Sequence, residues 1–300
     1  MKGVHVITSC TDRKRVSIPS ELRIRELKQS KLKDRLMEWR HRIEGSQVES
    51  VNTRELYAGE HWAEFMRILE DGAVDQTNVT GHVVSAGYGL IPVNSQIKPY
   101  AATFALNSRD SVRPRSVTWS VPQWWEGVSN WEIKDCEQSR SLVEFGRSVG
   151  CDPILITASN TYLSAIESDL LELIEEKPKG SVVIFGPGIP SSIACLEYAT
   201  VTYDSRLQMQ LGGSRIGLNI RALSYALKHS SDISQAELAV PIDALMAKLP
   251  EPVLPKRIPS TDEEVREFLK QRLNENPNAH HSPLLRQWRA NNRACEQGRF

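Results

Sequence analysis

Short runs of apolar, often β-branched residues alternate along this chain with longer segments whose apolar residues recur at helical spacing. The apolar runs that predict strands are Val4–Thr8, His82–Ser85, Ile154–Thr157 and Val182–Phe185. Between them, apolar side chains three or four positions apart predict amphipathic helices, as in Asn52–Leu69 and Thr161–Glu176. Strands alternating with helices predict an α/β fold, a mainly parallel sheet flanked by helices, with a small C-terminal helical appendage.

The second half of the chain suggests three parts. Residues 1–240 are predicted to form the α/β catalytic or binding domain. Five prolines between Pro241 and Pro259 indicate an extended, proline-rich linker over residues 241–259. The segment Ser260–Glu264 then carries a helix-capping signal, so residues 260–300 are predicted to form the helical appendage.

The segment Arg109–Trp131 interrupts the alternation, because four of its residues are tryptophans and little helical period is visible. It predicts a long, ordered, aromatic-lined loop. Such a loop either packs over a satellite core or offers a surface on which a nucleic-acid base can stack, with Trp124 as the candidate.

Composition narrows the function classes. The 37 basic and 37 acidic residues give a formal net charge of zero, so any contact with nucleic acid must be local. No apolar run approaches the roughly 20 residues that span a bilayer, and no signal peptide is recognised, which predicts a cytoplasmic protein without a membrane partner. The five cysteines are scattered and no pair has CxxC spacing, so neither a disulfide framework nor a zinc site is suggested. No metal and no cofactor are expected.

The first predicted strand leads into the polar loop Ser9–Arg15, which offers the clearest chemistry. Cys10 is followed by several cations, and a thiol in such surroundings is a usable nucleophile. The alternative is that Cys10 is a small buried hydrophobe, the usual fate of an intracellular cysteine. Asp12 and Lys98 are the candidate acid–base partners, and Arg13, Lys14 and Arg15 are candidates for contact with a nucleic-acid backbone.

The stretch Gly81–Tyr100 is predicted to deliver a second loop to the same edge of the sheet, where the carboxyl ends of strands form a ligand crevice. Gly87 and Gly89 permit backbone conformations that other residues avoid, which would hold Tyr88 at the rim of the crevice. The predicted pocket is lined by Ser9, Cys10, Ser85, Gly87 and Tyr88. An ordinary strand and turn with a packed tyrosine is the alternative.

A third loop, Gly212–Arg215, opens a predicted helix. Free backbone N–H groups at such a start suit a phosphate, so Gly213 and Ser214 are candidate substrate-binding residues and Arg215 a candidate nucleic-acid contact. A plain helix start that binds no ligand explains the same residues.

Three segments carry a resemblance to a known superfamily: Ile7–Lys14 (ITSCTDRK), Thr53–Gly59 (TRELYAG) and Val84–Pro92 (VSAGYGLIP) with Lys98-Pro99-Tyr100. They resemble the peroxide-stress protein family YaaA and the catalytic core of archaeosine synthase. Within that group the chain looks most like the DpdC-type proteins of 7-deazaguanine DNA-modification clusters. The match covers residues 1–104, with a looser one over residues 200–226. It departs from archaeosine synthase at Gly87-Tyr88, where proline-leucine is the pattern, so that enzyme's amine transfer is not carried over.

The resemblance implies an enzyme acting on the nitrile of 7-cyano-7-deazaguanine in DNA and converting it to the amide. DNA containing a modified guanine is then the partner, together with other proteins of the same modification cluster, and no cofactor is implied. Cys10 would either add to the nitrile carbon or orient the substrate for water, and Trp124 could hold a flipped base. The alternatives are a non-catalytic, YaaA-like DNA-binding or damage-protection protein and a base-exchanging, glycosidase-type enzyme.

Overall fold

The computed structural model describes residues 3–72, 78–131, 140–188, 190–250, 257–296 and 300. Two units divide the chain, Met1–Pro250 and Glu251–Phe300. The first contains the central sheet and the second contains two helices.

A six-stranded sheet with the order β4-β3-β1-β6-β7-β8 organises the first unit. Its strands are β1 (Val4–Ser9), β3 (Val79–Ser85), β4 (Gly89–Pro92), β6 (Ile154–Thr157), β7 (Val182–Gly186) and β8 (Thr200–Thr202). All neighbours pair in parallel except β4, which returns antiparallel to β3 at one edge. The predicted mainly parallel α/β fold is therefore confirmed.

The strand order creates a topological switch point. From β1 the chain passes first to β3 on one side of β1 and later to β6 on the other side. In such sheets the connections that leave the two central strands diverge, and a crevice opens between them at the carboxyl ends. By this rule the crevice is expected between the loop after β1 and the loop after β6.

Helices cover both faces of the sheet. The helices of the first unit are α1 (Leu32–Gly45), α2 (Thr53–Leu56), α3 (Glu60–Asp71), α4 (Val121–Ser129), α5 (Leu142–Ser148), α6 (Asn160–Ala165), α7 (Glu167–Glu176), α8 (Leu207–Leu211), α9 (Leu218–His229) and α10 (Gln235–Met246). Successive residues of a strand point to opposite faces. In β3, Gly81 faces Phe65 of α3, whereas the ring of His82 lies 4.2 Å from that of Phe145 on α5. Two short strands, β2 (Val51–Asn52) and β5 (Gln96–Ile97), form a separate antiparallel pair.

One charge-rich segment is only partly helical, and one predicted helix is divided in two. The charge-rich segment from Ser20 forms short 3-10 turns, and α1 begins only at Leu32. The buried guanidinium of Arg35 donates to the carbonyls of Ile24 and Val112, which fixes this irregular segment against the helix. The predicted helix Asn52–Leu69 is divided into α2 and α3 by Gly59, whose φ is +105°.

The predicted aromatic loop was wrong over residues 121–129, which form α4. Ser120 and Gln123 form a capping box at its start, and the proline in its first turn is compatible with a helix because the first N–H groups need no intrahelical acceptor. Trp124 and Trp125 are buried. The tryptophans therefore form core rather than a stacking surface.

The predicted linker begins later than Pro241, because α10 continues through that residue to Met246. In the second unit, α11 (Asp262–Glu275) starts at the predicted capping box of Thr261 and Glu264. It is followed by α12 (His281–Ala290), and the strands β9 (Ile258–Pro259) and β10 (Arg293–Ala294) pair in parallel. Within the described ranges, every helix is too short or too polar to cross a membrane.

Candidate active site

Cys10 lies at the switch point of the sheet. Its N–H extends the β1–β3 ladder by donating to the carbonyl of Val84 at 3.1 Å. Its Sγ lies 3.2 Å from the hydroxyl of Tyr162 on α6, which follows β6. The thiol and the phenol therefore meet across the crevice that the strand order predicts.

The loop after Cys10 is fixed to the segment between α2 and α3. Thr11 Oγ1 donates to the carbonyl of Ala58 at 3.1 Å, and the N–H of Ala58 donates to the carbonyl of Arg13 at 3.0 Å. Lys14 and Tyr57 form an antiparallel backbone bridge. This pairing places the segment around Tyr57 beside the segment around Cys10, so that both contribute to one site.

Lys14 turns inward from this loop, whereas Arg13 and Arg15 are exposed. Its ammonium lies 4.8 Å from the ring centroid of Tyr57 and 5.4 Å from that of Tyr100, and it donates to the carbonyl of Thr11. Burial lowers the pKa of Lys14, an effect that the neighbouring Cys10 and Asp12 oppose. The predicted role of Lys14 in nucleic-acid binding is therefore corrected, because the ammonium faces the thiol and the aromatic rings rather than solvent.

A buried chain of hydroxyl groups forms the other wall. Ser85 Oγ lies 2.5 Å from the hydroxyl of Tyr100, which lies 2.8 Å from the hydroxyl of Tyr57. Burial raises the pKa of both tyrosines well above the ordinary value, and Cys10 adds to this. Both phenols are therefore protonated donors at neutral pH.

These side chains define what we call the Cys10 cluster, which consists of Cys10, Lys14, Tyr57, Ser85, Tyr100 and Tyr162. Asp12 is exposed beside it, and its charge acts on both Lys14 and Tyr162. Ser9 is partly exposed at the end of β1. A thiol near a cation and a hydroxyl donor is the arrangement that nucleophilic cysteines use.

Gly87 and Tyr88 support the cluster from behind rather than lining it. A Cβ on Gly87 would stand 2.7 Å from the ring of Tyr100, so glycine is required there for close packing, whereas Gly89 carries the positive φ of +77°. Tyr88 is 2 % exposed, and its hydroxyl donates to the carbonyl of Lys98 at 3.1 Å. The prediction that Tyr88 lies at the rim was therefore wrong.

Trp124 is also part of this support. Its indole N–H donates to the carbonyl of Ala86 at 2.8 Å, and its ring stacks on Trp119 at 6.0 Å between centroids. Because the side chain is completely buried, it has no face on which a base could stack, and its predicted substrate contact is corrected.

Lys98 has a structural position. Its ammonium donates to the carbonyls of Ile43, Glu44 and Ser46, at 2.9, 3.3 and 2.5 Å, where α1 ends. A cation there satisfies carbonyls that lack intrahelical partners and interacts favourably with the helix dipole. The predicted catalytic role of Lys98 is therefore corrected, and Lys14 is the lysine beside the thiol.

The predicted phosphate-binding turn before α9 binds a carboxylate of the protein itself. The N–H of Ser214 donates to both oxygens of Glu60, at 3.1 and 2.9 Å, and Arg221 pairs with the same carboxylate. An added Cβ on Gly213 would collide with that pair. Gly213 and Ser214 thus fasten α9 to the start of α3, which corrects their predicted substrate contact, and Arg215 stays exposed beside them.

Sequence reasoning missed the three tyrosines of the cluster. Tyr57 and Tyr100 lie inside two of the segments that carry the resemblance, so that signal was present but unused. Tyr162 follows β6 by a few residues, and only the strand order brings it to Cys10.

Across the described residues, no group of three or more His, Cys, Asp or Glu side chains is arranged to hold a metal ion. Comparison of the chain with family models, curated proteins and solved structures gave no significant match. The resemblance to the DpdC-type proteins therefore stays a prediction from the sequence, and the function must be argued from the site.

Proposed function

We propose that the protein is a base-modifying enzyme that hydrates the nitrile of 7-cyano-7-deazaguanine in DNA to the amide, with Cys10 as nucleophile. The observation that carries the proposal is the position of the Cys10 thiol, 3.2 Å from the Tyr162 hydroxyl at the switch-point crevice and beside the inward-facing Lys14. A nitrile carbon is a moderate electrophile, and its attack requires a nucleophile together with donors for the nitrogen.

The proposed reaction has two steps. The Cys10 thiolate first bonds to the nitrile carbon, one pair of π electrons moves to nitrogen, and that nitrogen takes a proton, giving a thioimidate. Asp12 then accepts a proton from water as the water oxygen bonds to the same carbon, and passes that proton to the nitrogen, which becomes the amino group. Finally the carbon–sulfur bond breaks as the new hydroxyl group gives up its proton, which replaces the proton taken by the nitrogen in the first step. The amide is released and the thiolate is restored.

The first test identifies the substrate and the product. DNA carrying the cyano base, RNA carrying it and the free nucleoside are each incubated with the protein, and the products are identified by mass spectrometry. A gain of one water on the DNA nucleoside supports the proposal. Unchanged mass with tight DNA binding would instead indicate a non-catalytic binder, and released base a glycosidase.

The nucleophile arm uses Cys10→Ala and Cys10→Ser, which we expect to abolish turnover while the fold is retained. The matched control is Cys151→Ala, since Cys151 is an exposed free cysteine outside the cluster. Cys10→Ala turnover within about tenfold of wild type, a barrier change of only ~1.4 kcal/mol, would exclude covalent catalysis.

A further inference from the structure

We propose that the turn Ser214–Gly217 inserts the side chain of Ile216 as an apolar wedge into the base stack of duplex DNA, beside the base that is extruded toward Cys10. This role rests on the proposed function, since an enzyme that modifies a base in a duplex must first take that base out of the stack. It names the form of DNA that the site takes and the side chain that opens it.

The turn carries two exposed side chains at its tip. The N–H of Gly217 donates to the carbonyl of Ser214 at 3.2 Å, so Arg215 and Ile216 occupy the two central positions. Ile216 is 87 % exposed, and Met209 on the preceding α8 is 71 % exposed. These are the two most exposed large apolar side chains in the described part of the chain.

The tip is fixed in place by buried and paired groups. The N–H of Ser214 donates to both carboxylate oxygens of Glu60, at 3.1 and 2.9 Å. Arg221 pairs with the same carboxylate and donates to the carbonyl of Ser214 at 2.6 Å. A turn that is already ordered loses little conformational freedom when its tip enters a ligand.

Two neighbouring contacts place the turn at the carboxyl edge of the sheet. His61, which follows Glu60, has its Nε2 2.6 Å from Thr8 Oγ1 near the end of β1. Asn219, in the first turn of α9, donates to the carbonyl of Ala158, directly after β6, at 2.7 Å. The turn therefore stands beside the ends of the two strands whose loops flank the expected crevice.

The surroundings of Ile216 favour DNA over a protein partner. Arg215 and Arg13 are both exposed, and Arg13 Cδ lies 3.7 Å from the position that a Cβ on Gly59 would take, next to Glu60. Guanidinium groups beside a protruding apolar side chain match proteins that contact phosphates and insert an apolar wedge between base steps. A stable protein interface buries about 800 Å² per partner, much more than two apolar side chains offer.

Unstacking is measured with a short duplex that carries 7-cyano-7-deazaguanine and, beside it, 2-aminopurine, whose fluorescence rises when it loses a stacked neighbour. We expect saturating wild-type protein to raise the fluorescence and Ile216→Ala to raise it much less. The matched control is Val240→Ala, at an exposed branched side chain on α10, which binds β8 through Gln235 and the carbonyl of Thr200. It should behave as wild type.

An equal rise with Ile216→Ala and wild type overturns the wedge and leaves a protein contact as the role of the exposed pair. No rise with wild-type protein also overturns it. Because Ile216 is exposed, its replacement by alanine removes no core packing, and circular dichroism of the variant checks that the fold is retained.

Turnover of the cyano base in duplex and in single-stranded DNA separates the wedge from the proposed function. Since a single strand needs little unstacking, Ile216→Ala should slow duplex turnover by about tenfold, as expected for loss of one buried isoleucine side chain, and change single-strand turnover by less than about twofold. Equal slowing of both, or of neither, overturns the wedge and leaves the proposed function in place. Wild-type protein that gives the Ile216-dependent fluorescence but leaves the cyano base unchanged would remove the proposed function and retain the wedge.

Discussion

Lys14 and Lys98 show how the surroundings of one residue type decide its role. In the sequence, both lysines lie in or next to loops that are predicted to reach the carboxyl edge of the sheet. The ammonium of Lys98 is fully used by three carbonyls at the end of α1, whereas that of Lys14 lies over two tyrosine rings beside a thiol. The Lys98 ammonium thus stabilises the end of α1, whereas the Lys14 ammonium lies close enough to Cys10 to interact with it.

Substituting these two lysines is therefore expected to give opposite results. Lys98→Met should lower the free energy of unfolding by about 1–2 kcal/mol, because the carbonyls at the end of α1 lose a charged donor, with turnover per folded molecule nearly unchanged. Lys14→Met should suppress turnover without a comparable loss of stability. Urea unfolding and nucleoside mass spectrometry on both variants measure the two effects, and loss of turnover in Lys98→Met alone would restore its catalytic role.

Two partly buried histidines, His61 and His82, are expected to make the stability depend on pH. His61 Nε2 lies 2.6 Å from Thr8 Oγ1, which donates onward to the carbonyl of Thr157 at 3.3 Å. Burial lowers the pKa of His61 to about 4 and that of His82 to about 3. Both rings are therefore neutral in the folded protein at pH values where the unfolded chain, with a pKa near 6.5, begins to bind protons.

As the pH falls below about 6.5, the unfolded state gains protons that the folded state does not bind. The free energy of unfolding should then decrease, by up to about 1.4 kcal/mol per pH unit for each ring, until the folded pKa is reached. Urea titrations between pH 7 and pH 4.5 (roughly the window that those pKa values define) measure this slope. His82→Gln should reduce it, and His41→Gln, at an exposed histidine, should not. An equal slope in all three proteins would contradict the assignment.

At the scale of elements, the turn between β3 and β4 is held from three directions. The carbonyls of Ala86, Gly87 and Tyr88 accept from Trp124, Trp39 and Arg140, at 2.8, 2.8 and 2.9 Å. The N–H groups of Gly87 and Tyr88 point the other way and donate to Ser85 Oγ. The tryptophans are therefore the support that keeps Ser85 in register with Tyr100.

Trp124→Phe tests that support. The substitution leaves the buried carbonyl of Ala86 without its donor, which should cost about 1–3 kcal/mol of unfolding free energy. DNA affinity per folded molecule should be unaffected, in contrast to a stacking role. Trp131→Phe is the control, because the hydrogen bond that its indole N–H donates is long, at 3.4 Å, and goes to the exposed carboxylate of Glu44. Weaker DNA binding by Trp124→Phe at full stability would favour the stacking surface instead.

The sequence predicted those features that depend on neighbouring residues. Three of the four predicted strands, β1, β6 and β7, were found because they are buried on both faces and are therefore nearly continuous apolar runs. The loop carrying Cys10 was found because it follows β1. The tertiary hydrogen bonds could not be found in this way: nothing near Trp124 in sequence shows that its indole binds a carbonyl 38 residues earlier, and nothing near Tyr162 points to Cys10. The irregular segment before α1 likewise depends on tertiary hydrogen bonds, which Arg35 donates to the carbonyls of Ile24 and Val112.

At the scale of the whole molecule, the net charge is zero. Contact with nucleic acid therefore depends on where the basic residues lie. The structure turns Lys14 inward but leaves Arg13 and Arg15 exposed on the same loop, at the carboxyl edge where the Cys10 cluster lies. A duplex presented to this edge would meet those two guanidinium groups first. The proposed function therefore requires only a small local set of phosphate contacts.

The salt dependence of DNA affinity measures the number of those phosphate contacts. Each phosphate contact contributes about 0.9 to the slope of log affinity against log salt for duplex DNA. We expect Arg13→Ala and Arg15→Ala each to reduce the slope by about that amount, with the largest loss of affinity at low salt. Arg147→Ala should leave it unchanged, because Arg147 lies ahead of β6, at the amino end of the sheet, and pairs with Glu172 and Glu176. Fluorescence anisotropy of a labelled duplex over a range of potassium chloride concentrations measures the three slopes. If all three equal the wild-type slope, the DNA backbone does not contact the Cys10 loop, and the edge of the sheet that we assign to the nucleic acid must be reassigned.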